Sequence, residues 1–124
     1  MSWILVFFGG GLGCLCRYAM SLIWPLGNVH NFPLSTFISN NIACFIVGLL
    51  SQYLLKYPNY NLSLLIVTGF CGGFSTFSSF GLETLQLIQS GYVQKALTYL
   101  LVSNISCILM VMLGFITCKY VLNS

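Results

Sequence analysis

The sequence predicts an all-α integral membrane protein of four transmembrane helices, the third broken at mid-membrane. Three observations carry this expectation. Of 124 residues 58% are hydrophobic, and the only formal charges are Arg17, Lys56, Glu83, Lys95 and Lys119, a composition foreign to soluble domains of this size. A membrane span needs ~20 predominantly apolar residues. The chain divides into four such stretches, at about residues 3–24, 33–56, 62–90 and 94–121, which together form one domain over 1–124. Within the third stretch, residues 69–81 set Gly69, Gly72, Gly73 and Gly81 beside the hydroxyls of Ser75, Thr76, Ser78 and Ser79. Lipid offers no hydrogen-bond partner, so backbone that leaves the helix there must be satisfied by protein or by water in a cavity. A polar interruption at that depth marks a candidate ion or substrate site.

Helix 1 opens at the interfacial residue Trp3 and carries Gly9, Gly10, Gly11 and Gly13, small residues that let backbones approach closely in a membrane. No strand precedes these glycines, so they build no phosphate-binding βαβ unit. Its start lacks the basic cluster of a cleaved signal peptide, and the segment is read as a retained helix. Arg17, one turn past Gly13, either snorkels to the headgroups or makes a positive vestibule for anions. A loop is expected from Pro25 to Pro33, with turn residues Gly27, Asn28 and Asn31. Pro33 suits the first turn of helix 2, where its missing N–H is no loss. Thr36, Asn40 and Ala43 share one small polar face of that helix, and Lys56, Pro58 and Asn59 close it.

Helix 3 is too long for one straight span. At ~1.5 Å per residue its 29 residues reach ~43 Å, beyond a ~30 Å hydrocarbon core, and the break is expected near 72–77. Past it, Thr76, Ser79, Glu83, Gln86 and Ser90 fall at helical spacing on one stripe, with Phe77, Phe80 and Thr84 beside them. Glu83 is the only acid in the chain, and an ionisable residue within a span is a functional candidate unless it lies near an interface. Helix 4, from about Gln94, carries Tyr99, Ser103, Ser106 and Cys107 on one face, whose hydroxyls can meet the polar stripe of helix 3.

With four spans, Lys56 and Lys119 lie on one side and Arg17 and Lys95 toward the other. Orientation follows an excess of cations on the cytoplasmic side, and this even split gives no instruction. Such a chain can insert both ways up and pair antiparallel about an axis in the membrane plane; a single orientation set by weaker flanking cues is the alternative. The six cysteines lie within the apolar stretches without Cys-x-x-Cys spacing and read as small packing residues. The single histidine, His30, is not expected to ligate a metal. No nucleotide-binding motif is present and no nucleic-acid partner is expected; one Glu and one His in different segments form no catalytic constellation, so an enzyme is disfavoured. Unwound backbone can aim several carbonyl oxygens at one point, which suits a hard cation such as Na⁺, shared at the centre if two copies cross there. Aromatic ring edges carry partial positive charge; Phe77 and Phe80 either offer such edges to a small dehydrated anion or simply pack.

The segment from Gly69 to Phe80 resembles the Gly-Phe-x-Gly-Gly-x-Thr-Thr-Phe-Ser-Thr-Phe signature of the Fluc (CrcB) fluoride channels. Gly9, Gly10, Gly13, Arg17 and Tyr18 are similar to that family's first helix, Pro33, Thr36, Asn40, Phe45 and Gly48 to its second, and Tyr99 and Ser103 to its fourth. The resemblance implies a passive, fluoride-selective channel in the cytoplasmic (inner) membrane, a dual-topology antiparallel homodimer with two pores and a structural Na⁺ at its centre. It implies that backbone carbonyls of Gly72 and Ser75 hold the Na⁺. Fluoride would pass Asn40, Phe77, Phe80, Ser79, Glu83, Tyr99 and Ser103, with Arg17 lining a vestibule. A divergent paralogous chain is an alternative partner to a second copy. Ser35 and Ala43 stand where the family usually has glycines, Ser75 and Ser79 where it has threonines, and Gly81 where it has serine. Two readings stand beside this one: a small dual-topology proton-coupled exporter, with Glu83 as its only available carboxylate, and a non-transporting membrane assembly subunit packed through its glycines.

Overall fold

The computed structural model describes residues 1–25 and 32–124. The expected turn residues Gly27, Asn28 and Asn31, and with them His30, lie outside the described residues. Helix 1 is Ser2–Ile23 and helix 2 Leu34–Lys56. Helix 3 has two arms. The first spans 60–74, as an α turn Tyr60–Leu62, a π-helical stretch Ser63–Cys71 and a closing turn Gly72–Phe74; the second is Ser78–Gln89. Helix 4 is Val93–Asn123. All four are long and apolar enough to cross a membrane, and no strand occurs among the described residues. Large side chains such as Trp3, Phe7, Leu55, Ile108 and Val121 stand on the outer surface, as befits a multi-pass membrane protein solvated by lipid.

Local chemistry explains the ends. Pro33 sits one residue before helix 2, as its N-cap, rather than in the first turn. Asn59 was expected to close helix 2; its side chain instead accepts a 3.0 Å bond from the Leu62 N–H and starts helix 3, since an Asn carboxamide satisfies an orphan N–H at a helix N-terminus. Gly91, at φ 86°, makes the tight turn into helix 4. Lys56 donates to the Leu122 carbonyl at 3.1 Å, closing the far end of helix 4. The π-helical stretch has no counterpart in the expectation of a regular helix.

Glycines set which helices meet. A Cβ on Gly9 would strike the Leu65 carbonyl, one on Gly13 the Phe70 carbonyl, and one on Gly73 the Gly10 carbonyl. Helix 1 and the first arm of helix 3 therefore touch backbone to backbone, the close approach that small residues permit in membranes. Contacts rise together along both segments, from Gly9 with Leu65 to Arg17 with Gly73, so the two run parallel. Helix 2 and helix 4 meet the same way, Gly48 against Val111 and Gly114 against Phe45. They too run parallel, since Thr36 lies level with Tyr99 and Lys56 with Leu122. Ala43, the departure from a usual glycine, is buried against Cys71 and Phe74, and its methyl is absorbed by that contact. Around Tyr99, which is 0% exposed, a second cluster holds Phe80, Leu87 and Ala96.

Gly13→Leu is expected to destabilise the fold by ~1–3 kcal/mol or more, because overpacking moves backbone. Gly11→Leu, at a position where a Cβ meets nothing, should change stability by less than ~0.5 kcal/mol. Thermal unfolding in detergent compares the two; equal losses would contradict the packing assignment.

Candidate functional site

The site is built from the interruption of helix 3. Gly72 and Gly73 are weak helix formers, and hydroxyls at Ser75 and Thr76 compete for backbone groups. Ser75 turns to an extended conformation (φ −78°, ψ 156°), while its N–H at 2.9 Å and its hydroxyl at 2.7 Å both bond the Cys71 carbonyl and finish the first arm. The next orphan carbonyl, Gly73, accepts from the Arg17 guanidinium Nε at 3.1 Å. Arg17 thus binds the broken end of helix 3, where its charge also suits the helix C-terminus.

Neither the N–H nor the carbonyl of Thr76 has a helical partner. The Asn40 carboxamide supplies both: the Thr76 N–H donates to Asn40 Oδ1 at 2.7 Å, and Asn40 Nδ2 donates to the Thr76 carbonyl at 3.1 Å. Leaving either group unpaired would cost ~1–3 kcal/mol, so the break is viable where helix 2 presents this amide. The Thr76 hydroxyl accepts from the Ser79 N–H at 3.2 Å and so starts the second arm. Among the described residues the Gly72 and Ser75 carbonyls accept no hydrogen bond, and a Cβ on Gly72 would meet nothing.

Two clefts flank the break and share Thr76. One, of about 240 Å³, is lined by Asn40, Ser75, Phe77, Phe80 and Ser103, together with Cys44, Asn104 and Cys107. Phe77 is 81% exposed in the single chain and Phe80 only 6%. Their rings lie 5.6 Å apart, and Phe80 also packs on Tyr99 at 4.9 Å. The Ser103 hydroxyl is buried and has no partner among the described residues, as does Ser39. The other cleft, of about 330 Å³, has Arg17, Ser35, Thr36, Ser79 and Glu83 on its walls beside Tyr18 and Trp24. Glu83 is buried there: Oε1 accepts from the Thr36 hydroxyl at 2.6 Å and Oε2 from Tyr99 at 2.7 Å. One carboxylate thereby ties helices 2, 3 and 4 together, and Tyr99 stands behind it.

Of the residues singled out from the sequence, Asn40, Ser75, Phe77, Phe80 and Ser103 come together in one cleft, and Arg17, Ser79 and Glu83 in the other. Gly72 lines neither. Thr36 and Thr76 were not singled out as site residues. Thr36 was detectable as the hydroxyl one turn before Asn40, while the role of Thr76 rests on its backbone and has no side-chain signature. Asn41 and Asn104 bond carbonyls of their own helices, Phe37 and Leu100.

Residues 4–115 match the model of the family described as CrcB-like protein, Camphor Resistance (CrcB). The "Fluoride-specific ion channel FluC" of Azobacteroides pseudotrichonymphae genomovar. CFP2 is 41% identical over 118 residues, 94% of this chain and 94% of that protein. "Fluoride-specific ion channel FluC 2" of Listeria monocytogenes serotype 4b (strain F2365) is 41% identical over 125 residues, 99% of this chain and 95% of its own. The protein of the first name from Pyrococcus horikoshii is 37% identical, covering 93% and 94%.

Asn40→Ala removes both bonds to Thr76. Unfolding in detergent should lose ~1–3 kcal/mol, and the Thr76 amide should exchange faster. Asn40→Asp keeps the acceptor for the N–H and should exchange at an intermediate rate. Unchanged exchange at Thr76 in the Ala variant would refute the pairing.

Proposed function

The chain belongs to the CrcB-like family, and from that membership and the interrupted third helix we propose that it is a passive fluoride-selective channel that relieves fluoride toxicity. It is a channel rather than an enzyme. The observation that carries the reading is the cleft beside the break, where Asn40, the Phe77 and Phe80 rings and the unpartnered Ser103 hydroxyl converge. Amide and hydroxyl N–H and O–H groups, with the positive edges of aromatic rings, replace the hydration shell of a small anion without a fixed cation to trap it. Arg17 at the mouth of the other cleft draws anions toward the break. Ser79, Glu83 and Tyr99 continue the polar track, Glu83 positioning the hydroxyls of Thr36 and Tyr99.

In this reading two copies insert in opposite orientations in the cytoplasmic membrane and cross at their breaks, which places the break at mid-membrane. Phe77, exposed in one chain, is then covered by the partner. A structural Na⁺ fits the donor set at the crossing, because the Gly72 and Ser75 carbonyls are hard oxygen donors without hydrogen-bond partners among the described residues. The direction of flow follows from acid chemistry. Hydrogen fluoride is a weak acid that crosses membranes neutral and ionises at cytoplasmic pH, which traps the anion inside. An open pore then drains fluoride down its electrochemical gradient with no energy source.

Liposomes containing only this protein should release fluoride and retain chloride; release of both, or of neither, would end the proposal. Phe80→Ile should suppress fluoride flux with the oligomer intact, and undiminished flux would remove the aromatic edges from the pathway. Gly72→Leu should weaken assembly without harming the single chain, where the added side chain meets nothing. Normal dimer yield from that variant in Na⁺-free medium would contradict the crossing.

A further inference from the structure

Helices 2 and 4 form a ladder whose rungs repeat every four residues, about one helical turn. Thr36 and Tyr99 meet through Glu83, Asn40 and Ser103 share the cleft wall, and Gly48 lies against the Val111 backbone. Cys44 and Cys107 occupy the rung between, and none of the chemistry above uses them. The shared register sets them level on the two helices, and both line the same cleft. Both are half-buried on the cleft wall, so a solute in the cleft reaches them. One turn further on, the Gly48 contact leaves no space between the backbones, which holds the two helices together and fixes Cys44 level with Cys107.

We propose that Cys44 and Cys107 form a binding site for a soft, two-coordinate metal ion of the cuprous or mercuric class. Thiolate is a soft donor and selects such ions over hard ones. Among the described residues no three His, Cys, Asp or Glu side chains stand together, so the four ligands of a structural zinc site are missing. Cys71, 3% exposed and clustered with Ala43 and Phe74, does not line the cleft. On binding, each thiol gives its proton to water and one sulfur–metal bond forms at each cysteine, so that one metal ion displaces two protons. The bound ion lies one turn from Asn40 and Ser103 and obstructs the cleft, a consequence that rests on the fluoride-path reading; metal uptake itself does not.

Mercuric ion is the probe, and the protein is the full chain carrying Cys14→Ala, Cys16→Ala, Cys71→Ala and Cys118→Ala. The two-thiol protein should bind one mercuric ion per chain, with ultraviolet sulfur-to-metal charge-transfer absorbance and release of two protons, and should ignore zinc. Adding Cys44→Ser or Cys107→Ser should abolish the absorbance and the stoichiometric uptake. Equal uptake by either single-thiol protein, or none by the two-thiol protein, would overturn the site. As a check that needs no substitution, dibromobimane, which fluoresces on bridging two thiols, should join the Cys44 and Cys107 peptides of the unaltered chain; absence of that bridge would also overturn it. In liposomes, mercuric ion should stop fluoride release and excess thiol should restore it. Stoichiometric binding with flux undiminished would uphold the site and count against the cleft as the route.

Discussion

The structure depends on one exchange of partners: the backbone N–H and carbonyl of Thr76 leave the helical ladder, and the carboxamide of Asn40 takes over both hydrogen bonds. In water such a break would be unremarkable, since solvent would supply the bonds. In lipid it requires a donor and an acceptor fixed at the right distance by another helix. A carboxamide is the neutral side chain that offers both from one planar group. Arg17 does the corresponding service for Gly73 on the helix 1 side, so the broken end is held from two neighbouring helices.

Those side chains can reach the break because the helices carrying them are held at backbone contact. Gly9, Gly13 and Gly73 bring helix 1 against the first arm of helix 3, and Gly48 and Gly114 do the same for helices 2 and 4. Glu83 then links the two pairs through Thr36 and Tyr99. Packing and polar chemistry are thus successive layers of one arrangement: glycine contacts set the helix spacing, and the spacing sets which hydroxyls and amides meet. The Gly72 face and the ring of Phe77 stay open at the break after the single chain has folded.

Much of this was legible from residue type and spacing. Apolar length marked the four helices, and the glycines and hydroxyls of 69–81 marked the interruption, because both signals are local. The pairing of Asn40 with Thr76 was only half legible: an amide in a span announces that it needs a partner without naming it, and a backbone partner leaves no mark in the sequence. Arg17 read as a vestibule or headgroup residue because its acceptor, Gly73, lies on another helix. The π-helical course of Ser63–Cys71 was hidden, since a segment apolar on all sides has no stripe from which to read its pitch. The cysteines read as packing residues one at a time; it is the parallel register of helices 2 and 4 that brings Cys44 to Cys107, and register is a tertiary property.

The state of residues 75 and 76 in a bilayer distinguishes a third helix interrupted there from a continuous one. Solid-state NMR of the isotopically labelled protein in lipid should give non-helical carbon shifts for Ser75 and Thr76, and a through-space contact between the Asn40 side-chain amide and the Thr76 peptide group. Helical shifts at both residues, with no such contact, would contradict it.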